Sequence, residues 1–385
     1  MSKWEMVRLG DVATYVNGFA FKPADWSNKG IPIIRIQNLT GTSDVVNYYD
    51  KKYSTKYEIN NGDVLISWSA SLGVYEWKKG KALLNQHIFK VVFDKLVLDK
   101  RFFVFVIAEK LREMSSLVHG STMKHITKKY FDRIEIQLPP LESQKKIATA
   151  LDSANALIEK RKEQIEKLDL LIKSQFIEMF GDPVTNPKGW EKKQLSKLIV
   201  HANNGMARRG NDIDGDIVLR LVELQDGFLD YSKPNRILLS EFEKKRYLLF
   251  KNDFLFARVN GNPDYVGRCA VFHDIGEDVY YNDHIIRVRF DDSQLQGCFV
   301  STLLNSQYGR RQMRSKIKTS AGQYTISQDG IGAIEIICPP LSLQTQFAKF
   351  VEKVEAQKAL LQKSLADMEQ NYQSFMQKCF KGEIF

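Results

Sequence analysis

Residues 134–144 read IEIQLPPLESQ, and residues 334–344 read IEIICPPLSLQ. In each segment a short β-type run is followed by Pro-Pro-Leu and then by a long stretch with helical spacing of apolar residues. A proline pair at such a boundary favours the start of a helix, since proline is tolerated only at its beginning. The same strand-to-helix transition is therefore predicted twice in one chain.

Matched blocks continue outward from these two segments. Trp4-Glu5 opens the first copy and Trp190-Glu191 opens the second, an offset of 186 that grows to 200 at the prolines. The blocks between them are Ile33–Ile36 with Val218–Leu221, Asn61–Leu65 with Lys251–Leu255, and Asn85–Ile88 with Asn282–Ile285. The common order indicates a tandem duplication of roughly residues 1–185 and 186–385, with loop insertions early in each copy.

After each Pro-Pro-Leu, apolar residues recur at alternating spacings of four and three, which is typical of a coiled-coil seam. We expect each seam to pair with the other, with Gly181-Asp182-Pro183 and Gly382 ending the helices. The predicted seam residues are Ile147, Leu151, Ile158, Ile165, Leu168 and Ile172 in the first copy, and Phe347, Val351, Leu361, Leu365, Met368 and Tyr372 in the second.

The rest of each copy predicts a mixed fold. Short β-rich runs such as Val64–Trp68 and Phe254–Val259 alternate with turn residues, and one helix per copy is expected, near Phe102–Leu117 and Phe299–Ile317. The predicted fold class is α/β (α+β), with two mixed-sheet domains, each followed by a long helix. The predicted boundaries are 1–141 for the first domain, 142–182 for its helix, 183–341 for the second domain and 342–385 for its helix.

Composition points to a polyanionic partner. The chain has 385 residues with 56 Lys and Arg against 46 Asp and Glu, a net charge of +10, and nucleic acid is the usual partner of such a protein. Neither a signal peptide nor a membrane-length apolar run is present, so we expect a cytoplasmic protein without a membrane partner. Four cysteines without C-x-x-C spacing predict reduced thiols.

Motifs for catalysis are not found in the sequence. Asn262-Pro263-Asp264-Tyr265 approaches the tetrapeptide of an adenine methyltransferase but has Asp in place of the second proline, and no glycine-rich cofactor turn precedes it. The alternating Asp212, Asp214 and Asp216 lack the glycine of a calcium loop, and no phosphate-binding P-loop occurs. The sequence therefore predicts no catalytic residues, no metal site and no cofactor.

A basic stretch predicts DNA contacts. No Asp or Glu occurs from Ser293 through Gln328, whereas Arg310, Arg311 and Arg314 lie together in the expected helix and should neutralise phosphates. A polar loop, 320–325, follows that helix and could read base edges. Residues 120–125 occupy the matching place in the first copy. The alternative is a solvated basic face without a ligand.

Taken together, these features resemble the specificity subunit of type I restriction–modification systems, across essentially the whole chain. The likeness is carried by the two Trp-Glu openings, the two I-E-I-x-x-P-P-L-x-x-Q blocks, Met179–Pro183 and Phe380–Phe385. It implies two target recognition domains, each reading one half of a bipartite double-stranded DNA target. It also implies that the two helices pair antiparallel and act as a spacer.

The resemblance further implies a set of partners. Two modification subunits would dock on the spacer, and motor–nuclease restriction subunits would join them in phage defence. S-adenosylmethionine, ATP and Mg would then bind to these partner subunits only, and this chain would be non-catalytic. Two alternatives stay open: a fused nuclease–methyltransferase fragment, and a coiled-coil scaffold that does not bind DNA.

The resemblance does not specify the residues that read bases, because recognition domains of this family diverge. We expect DNA contacts from polar residues in loops or at strand ends. These are Lys22, Arg35, Asn38, Ser121, Thr122, Lys124 and His125 in the first copy, and Arg208, Arg209, Arg220, Asn260, Asn262, Gln323 and Tyr324 in the second. Arg35 and Arg220 occupy equivalent repeat positions, so a structural role is an alternative for both.

Overall fold

A computed structural model describes residues 4–117, 127–320 and 322–385 of the chain. The chain divides into two compact units: unit 1 comprises Met1–Lys162 and Ser364–Phe385, and unit 2 comprises Glu163–Lys363. Each unit thus combines one copy of the repeat with part of the long helix that follows the other copy. The mixed α+β fold predicted from the sequence is confirmed.

Unit 1 contains a four-stranded antiparallel sheet, a second mixed sheet and a two-stranded pair. Its strands are β1 (Glu5–Arg8), β2 (Thr14–Asn17), β3 (Ile31–Ile34), β4 (Asn47–Tyr49), β5 (Glu58–Ile59), β6 (Val64–Ser67), β7 (Gly73–Glu76), β8 (Ala82–Leu84), β9 (Ile88–Val92) and β10 (Glu135–Leu138). The strand orders are β2-β9-β6-β7, β4-β3-β8-β5 and β1-β10. Its helices are α1 (Leu9–Val12), α2 (Ile36–Thr40), α3 (Lys100–Leu117) and α4 (Lys128–Phe131), with 3-10 turns at Pro23–Asp25 and Thr55–Tyr57.

The long helix α5 (Leu141–Phe180) follows β10 and continues from unit 1 into unit 2. Unit 2 then adds β11 (Lys192–Gln194), β12 (Ile199–Asn204), β13 (Asp216–Leu219), β14 (Arg236–Ile237), β15 (Phe254–Ala257), β16 (Val259–Asn260), β17 (Cys269–Val271), β18 (Val279–Tyr281), β19 (Ile285–Phe290), β20 (Lys318–Ser320), β21 (Gln323–Thr325) and β22 (Glu335–Ile337). Its helices are α6 (Glu241–Tyr247), α7 (Gly297–Asn305), α8 (Gln307–Arg314) and α9 (Gln328–Gly332), with 3-10 turns at Leu195–Lys197 and Pro263–Tyr265. The final helix, α10 (Leu341–Phe380), continues into unit 1.

The two units repeat their strand pairing. The order β12-β19-β15-β17 in unit 2 matches β2-β9-β6-β7 in unit 1, and β13 pairs parallel to β18 as β3 pairs parallel to β8. In both units, the strand after the Trp-Glu opening pairs with the strand of the I-E-I block: β1 pairs with β10, and β11 pairs with β22. This pairing brings each Trp-Glu opening to the start of the long helix of the same copy.

A buried glutamine fixes each long helix to its domain. The side chain of Gln144 donates to the carbonyl of Pro139 at 2.8 Å and accepts from the backbone N–H of Asp99 at 2.8 Å. Gln344 donates in the same way to Pro339 at 2.8 Å and accepts from Gln296 at 2.9 Å. Because buried polar groups that lose their partners destabilise a protein, these bonds explain the glutamine that ends both repeat blocks.

Two glycines allow a close backbone approach that the sequence did not reveal. A Cβ atom on Gly18 would lie 2.0 Å from the carbonyl oxygen of Asn85, and one on Gly205 would lie 2.2 Å from that of Asn282. Parallel bridges join Phe19 to Asn85 and Met206 to Asn282 at these points. The repeated Asn-x-His-Ile blocks thus have the same backbone role in each unit.

The long helices run antiparallel within each unit. In unit 1, Lys162 of α5 forms a 3.4 Å ion pair with Glu369 of α10, and Ile147, earlier in α5, shares a core with the later residue Cys379. In unit 2, Lys358 of α10 forms an ion pair with Asp169 of α5. Each seam residue predicted from the sequence is buried or half-buried.

One predicted helix is interrupted. The segment Phe299–Ile317 is two helices, α7 and α8, separated at Ser306, and Ile317 leads into β20. The Ser306 hydroxyl accepts from the N–H of Gly309 and begins α8. A Cβ on Gly309 would lie 2.3 Å from the Leu304 carbonyl oxygen, so the sharp turn requires glycine there. None of the helices in the described part of the chain is both long and apolar enough to cross a membrane.

Candidate nucleic-acid interface

The basic stretch of unit 2 lines a cleft of about 280 Å³ between α8 and the turn Pro263–Tyr265. Arg310, Arg311 and Arg314 line it from α8, and Asp264 lines it from the turn. The Asn262 side chain accepts from the N–H of Asp264 at 3.0 Å, and Pro263 follows as the first residue of the turn. The tetrapeptide that approaches a methyltransferase motif is therefore a capped turn facing three arginines.

The three arginines differ in their partners. Arg310 is half-buried and donates to Asp226 and to the side-chain oxygen of Asn305, the latter at 3.2 Å. Arg314 forms an exposed 3.1 Å ion pair with Asp264. Arg311 is exposed and forms no ion pair with the residues that the structure describes. Arg311 is therefore the most available to a phosphate, and Arg310 the least.

A small sheet adjoins this cleft and corrects one expectation. Residues 320–325 were expected to form a loop, but Gln323 and Tyr324 lie in β21, which pairs with β20 and with β16. Tyr324 is directly opposite Asn260 in this sheet, and the Asn260 side chain accepts from the N–H of Asn262 at 2.9 Å. One partner of β21 is the adjacent β20, and the other is the distant β16, which local composition does not indicate.

The structure thus brings most of the second-copy candidates together. Asn260, Asn262, Gln323 and Tyr324 lie on or beside the β16-β21-β20 sheet, and Asn262 also caps the turn that lines the arginine cleft. Such a surface combines cations for phosphates with amide and hydroxyl groups suited to base edges.

The remaining second-copy arginines have acidic partners. Arg208 pairs with Glu243 at 2.6 Å, and Arg209 with Asp283 at 2.7 Å. Arg220 binds the carboxylate of Glu223 through Nη2 at 2.6 Å and Nε at 3.2 Å. That carboxylate is only 4% exposed, so this pair holds the turn after β13. The structural alternative for Arg220 is supported by this geometry.

Two histidines of unit 2 accept hydrogen bonds from arginines. The ring of His284 lies 3.1 Å from Nη2 of Arg209, and that of His201 lies 3.1 Å from Nη2 of Arg287. Because a guanidinium only donates, each ring nitrogen must be the unprotonated one. Burial lowers the pKa of both histidines, and the neighbouring arginines lower it further. These histidines are held neutral.

In unit 1, the described candidates lie in the segments before and after β3. Arg35 stacks on the ring of Trp26 at 5.1 Å and donates to the Val45 carbonyl at 3.5 Å. Asn38 accepts from the N–H of Arg35 at 3.0 Å. Lys22 is exposed before the turn at Pro23. The candidates Ser121, Thr122, Lys124 and His125 lie outside the described residues.

Several contacts of this surface were missed from the sequence. Asp226 pairs with Arg310 and also with Nε of Arg268, at 3.3 Å, and Arg268 stacks on the Tyr265 ring at 3.9 Å. One of these contacts had a signal in the sequence: the acidic residue inside Asn262-Pro263-Asp264-Tyr265 could have been predicted to pair with an arginine. In the described parts of the chain, no group of three or more His, Cys, Asp and Glu side chains is placed to hold a metal ion.

The sequence profile of one family matches both copies. Its description is "Type I restriction modification DNA specificity domain", and it covers residues 1–167 and 187–370. The chain therefore belongs to the type I restriction–modification DNA specificity family, as the repeated blocks predicted. DNA recognition in a restriction system is the function of this family, and the corresponding prediction is confirmed at that level.

Curated relatives match over nearly the full chain. The type I restriction enzyme StySPI specificity subunit of Salmonella potsdam is 28% identical, over 99% of this chain and 89% of that protein. The EcoKI specificity subunit of Escherichia coli K12 is 25% identical over the same shares.

Solved structures agree with the fold. The type I restriction–modification S subunit from M. genitalium superposes with a TM-score of 0.57 at 14% identity, covering 98% of this chain and 96% of that one. A chain solved in work on complex assembly and conformational transition of the type I R-M system gives 0.62 at 15% identity, covering 99% and 98%.

Proposed function

We propose that each copy of the repeat reads one half of a bipartite double-stranded DNA target. The observation that carries this proposal is that both units build the same sheet frame and present different polar side chains beside it. Unit 2 presents Asn260, Gln323 and Tyr324 beside an arginine cleft, whereas unit 1 presents Arg35 stacked on Trp26. A shared frame with different surface groups suits two modules that recognise different sequences.

We further propose that α5 and α10 set the spacing between the two half-sites and dock two modification subunits. Support for a protein partner comes from apolar side chains on these helices: Leu157 and Leu170 are each 58% exposed, and Leu360 is 70% exposed. Exposed leucines on a charged helix favour burial against another protein. Motor–nuclease subunits would join the same complex in the cytoplasm.

In this proposal the chain itself is not catalytic. S-adenosylmethionine, ATP and Mg would bind to the partner subunits, and the Asn262-Pro263-Asp264-Tyr265 turn would contribute only to the DNA surface. Support comes from the role of this turn, whose Asn262 side chain is engaged as a cap and whose Asp264 pairs with Arg314. Methyl transfer by the purified chain without partners would favour the fused-enzyme alternative.

Selection from a duplex library randomised over the whole target tests the proposal. The full chain should enrich two sequence blocks separated by a non-specific spacer of one length. Gln323→Ala should relax one block and Lys124→Ala the other, each by about 1–3 kcal/mol per lost base contact.

Variants of the helices test the spacer within the same experiment. Met368→Asp places a charge at a half-buried seam position and should impair recognition of the two blocks together. Gln370→Asp introduces the same residue at an exposed position of α10 and is the matched control. Absence of salt-dependent duplex binding by the unmodified chain would instead support the scaffold alternative.

A further inference from the structure

Two arginines of the cleft in unit 2 form ion pairs of different kinds. Asp226 binds Arg310, whose side chain is 23% exposed, and also receives Nε of Arg268, so this pair ties the turn at 225–228 to α8. The pair of Arg314 with Asp264 lies at the open side, with the two side chains 67% and 63% exposed. The Arg310–Asp226 pair is therefore structural, whereas the Arg314–Asp264 pair is accessible to a ligand in the cleft.

The backbone of Asp264 is held independently of Arg314. Its backbone N–H is held by the Asn262 side chain at 3.0 Å, and the next residue, Tyr265, is packed under the Arg268 guanidinium at 3.9 Å. Only two rotatable bonds join the carboxylate to this held backbone, so it remains near the cleft whether or not Arg314 is paired with it. A phosphate that approached Arg314 would meet this nearby negative charge.

The exposed Arg314–Asp264 ion pair can be broken at little cost in free energy. Ion pairs between exposed side chains contribute little, because water and salt screen them. A DNA phosphate can therefore take Arg314 from Asp264. It must do so against the repulsion of the carboxylate that remains, and this penalty falls only on binding that places a phosphate at Arg314.

We propose that Asp264 is a specificity-determining residue that weakens sequence-independent binding of DNA phosphates at Arg311 and Arg314. This inference rests on the proposed DNA recognition. On the cognate half-site, base contacts from the adjoining β16-β21-β20 sheet carry the binding, and the Arg314–Asp264 pair stays closed. On other sequences those contacts are missing, so the chain dissociates sooner.

Binding of the full chain to random-sequence duplexes, measured between about 50 and 200 mM salt, tests this assignment. Asp264→Asn should bind these duplexes up to about eightfold more tightly near 0.1 M salt, with a salt slope steeper by about 0.9, the value of one added phosphate contact. The gain on the cognate duplex should be smaller, so the ratio of specific to non-specific affinity should fall.

Three further variants make the result specific. Asp274→Asn removes the same charge from an exposed turn of unit 2, where the side chain accepts from the N–H of Gly276, and should change the affinity much less. Asp264→Ser is a second neutral replacement in case asparagine disturbs the turn. In the double variant Asp264→Asn with Arg314→Gln, the affinity gain should disappear.

An unchanged or weaker affinity of Asp264→Asn for random duplexes would overturn the inference. A loss confined to the cognate duplex would overturn it too and would make Asp264 a base-reading residue. A gain that persists without Arg314 would show that the ion pair is not the cause. If the unmodified chain bound no duplex at any salt concentration, the proposed function itself would fail, which is a different result from all of these.

Discussion

Unit 1 and unit 2 share the bonds of their framework and differ in the contacts of their polar surfaces. Gln144 and Gln344 make the same pair of hydrogen bonds, whereas the turns at the equivalent residues Arg35 and Arg220 are capped by different side chains. Asn38 accepts from the Arg35 N–H at 3.0 Å, and Glu223 accepts from the Arg220 N–H at 2.7 Å.

This difference changes what each arginine can do. The neutral Asn38 leaves the Arg35 guanidinium to stack on Trp26, but the anionic Glu223 binds the guanidinium of Arg220 directly. The same backbone turn is thus kept while the charge of the surface changes. A duplicated framework can in this way carry two unlike surfaces, because Asn and Glu side chains can both accept the N–H that begins the turn.

The strongest test of the shared framework replaces its close-approach glycines. Gly205→Ala should destabilise unit 2, and Gly18→Ala should destabilise unit 1, each by about 2–4 kcal/mol, because the new methyl group would overlap a backbone carbonyl. Hydrogen exchange resolved by peptide would assign each loss to its unit.

Gly261→Ala is the control for both glycine variants. A Cβ at Gly261 meets no atom within 4 Å, so the unfolding free energy should stay within about 0.5 kcal/mol. Equal stability of Gly205→Ala and Gly261→Ala would show that the shared approach is not required.

The framework could be predicted because its contacts are repeated in the sequence. The blocks around Trp4 and Ile134 recur together, and in the structure they pair with each other as β1 and β10. The break at Ser306 was not foreseen, although Ser306 is a residue that favours a helix start and Gly309 one that favours a turn, because the run around them is apolar and basic and contains no proline. Its cause is the approach of Gly309 to Leu304, a contact between two helices.

The surface could be predicted only in part, because its ion pairs join distant positions. Arg310 meets Asp226, 84 residues earlier, in a part of the sequence that composition separates from the basic stretch. A stretch without Asp or Glu therefore suggested three free arginines, of which the structure pairs two. Half of the pairing of strand β21 was likewise hidden, because one of its two partners is the distant β16.

Because Arg310 has an acidic partner and Arg311 has none among the described residues, their replacement should have different effects on DNA binding and stability. Arg311→Gln should weaken binding to all duplexes alike and reduce the salt slope by about 0.9, with unchanged stability, because it removes one phosphate contact. Arg310→Gln should instead lower the unfolding free energy of unit 2 by about 1–3 kcal/mol, because Asp226 and Asn305 lose a donor.

Paired titrations of both variants, in salt and in urea, distinguish these two roles. A salt slope that fell for Arg310→Gln with no loss of stability would return Arg310 to the phosphate-binding group. A change of sequence preference in Arg311→Gln would contradict its assignment to the DNA backbone.

The smallest expected effect is a loss of stability of unit 2 at low pH. Folded unit 2 keeps His201 and His284 neutral, since burial and the neighbouring Arg287 and Arg209 lower the pKa of each ring, although Asp253 and Asp283 oppose this. In the unfolded chain the imidazoles titrate near about 6.5, so below that pH the unfolded state binds more protons than the folded state. The stability of unit 2 should therefore fall as the pH drops below about 6.5 and should not depend on these groups above it.

Denaturant unfolding from pH 7.5 to about 5 should show a flatter dependence of stability on pH for the double variant His201→Asn with His284→Gln, whose amides can still accept from the arginines. An unchanged slope in that variant would mean that other groups account for the acid sensitivity.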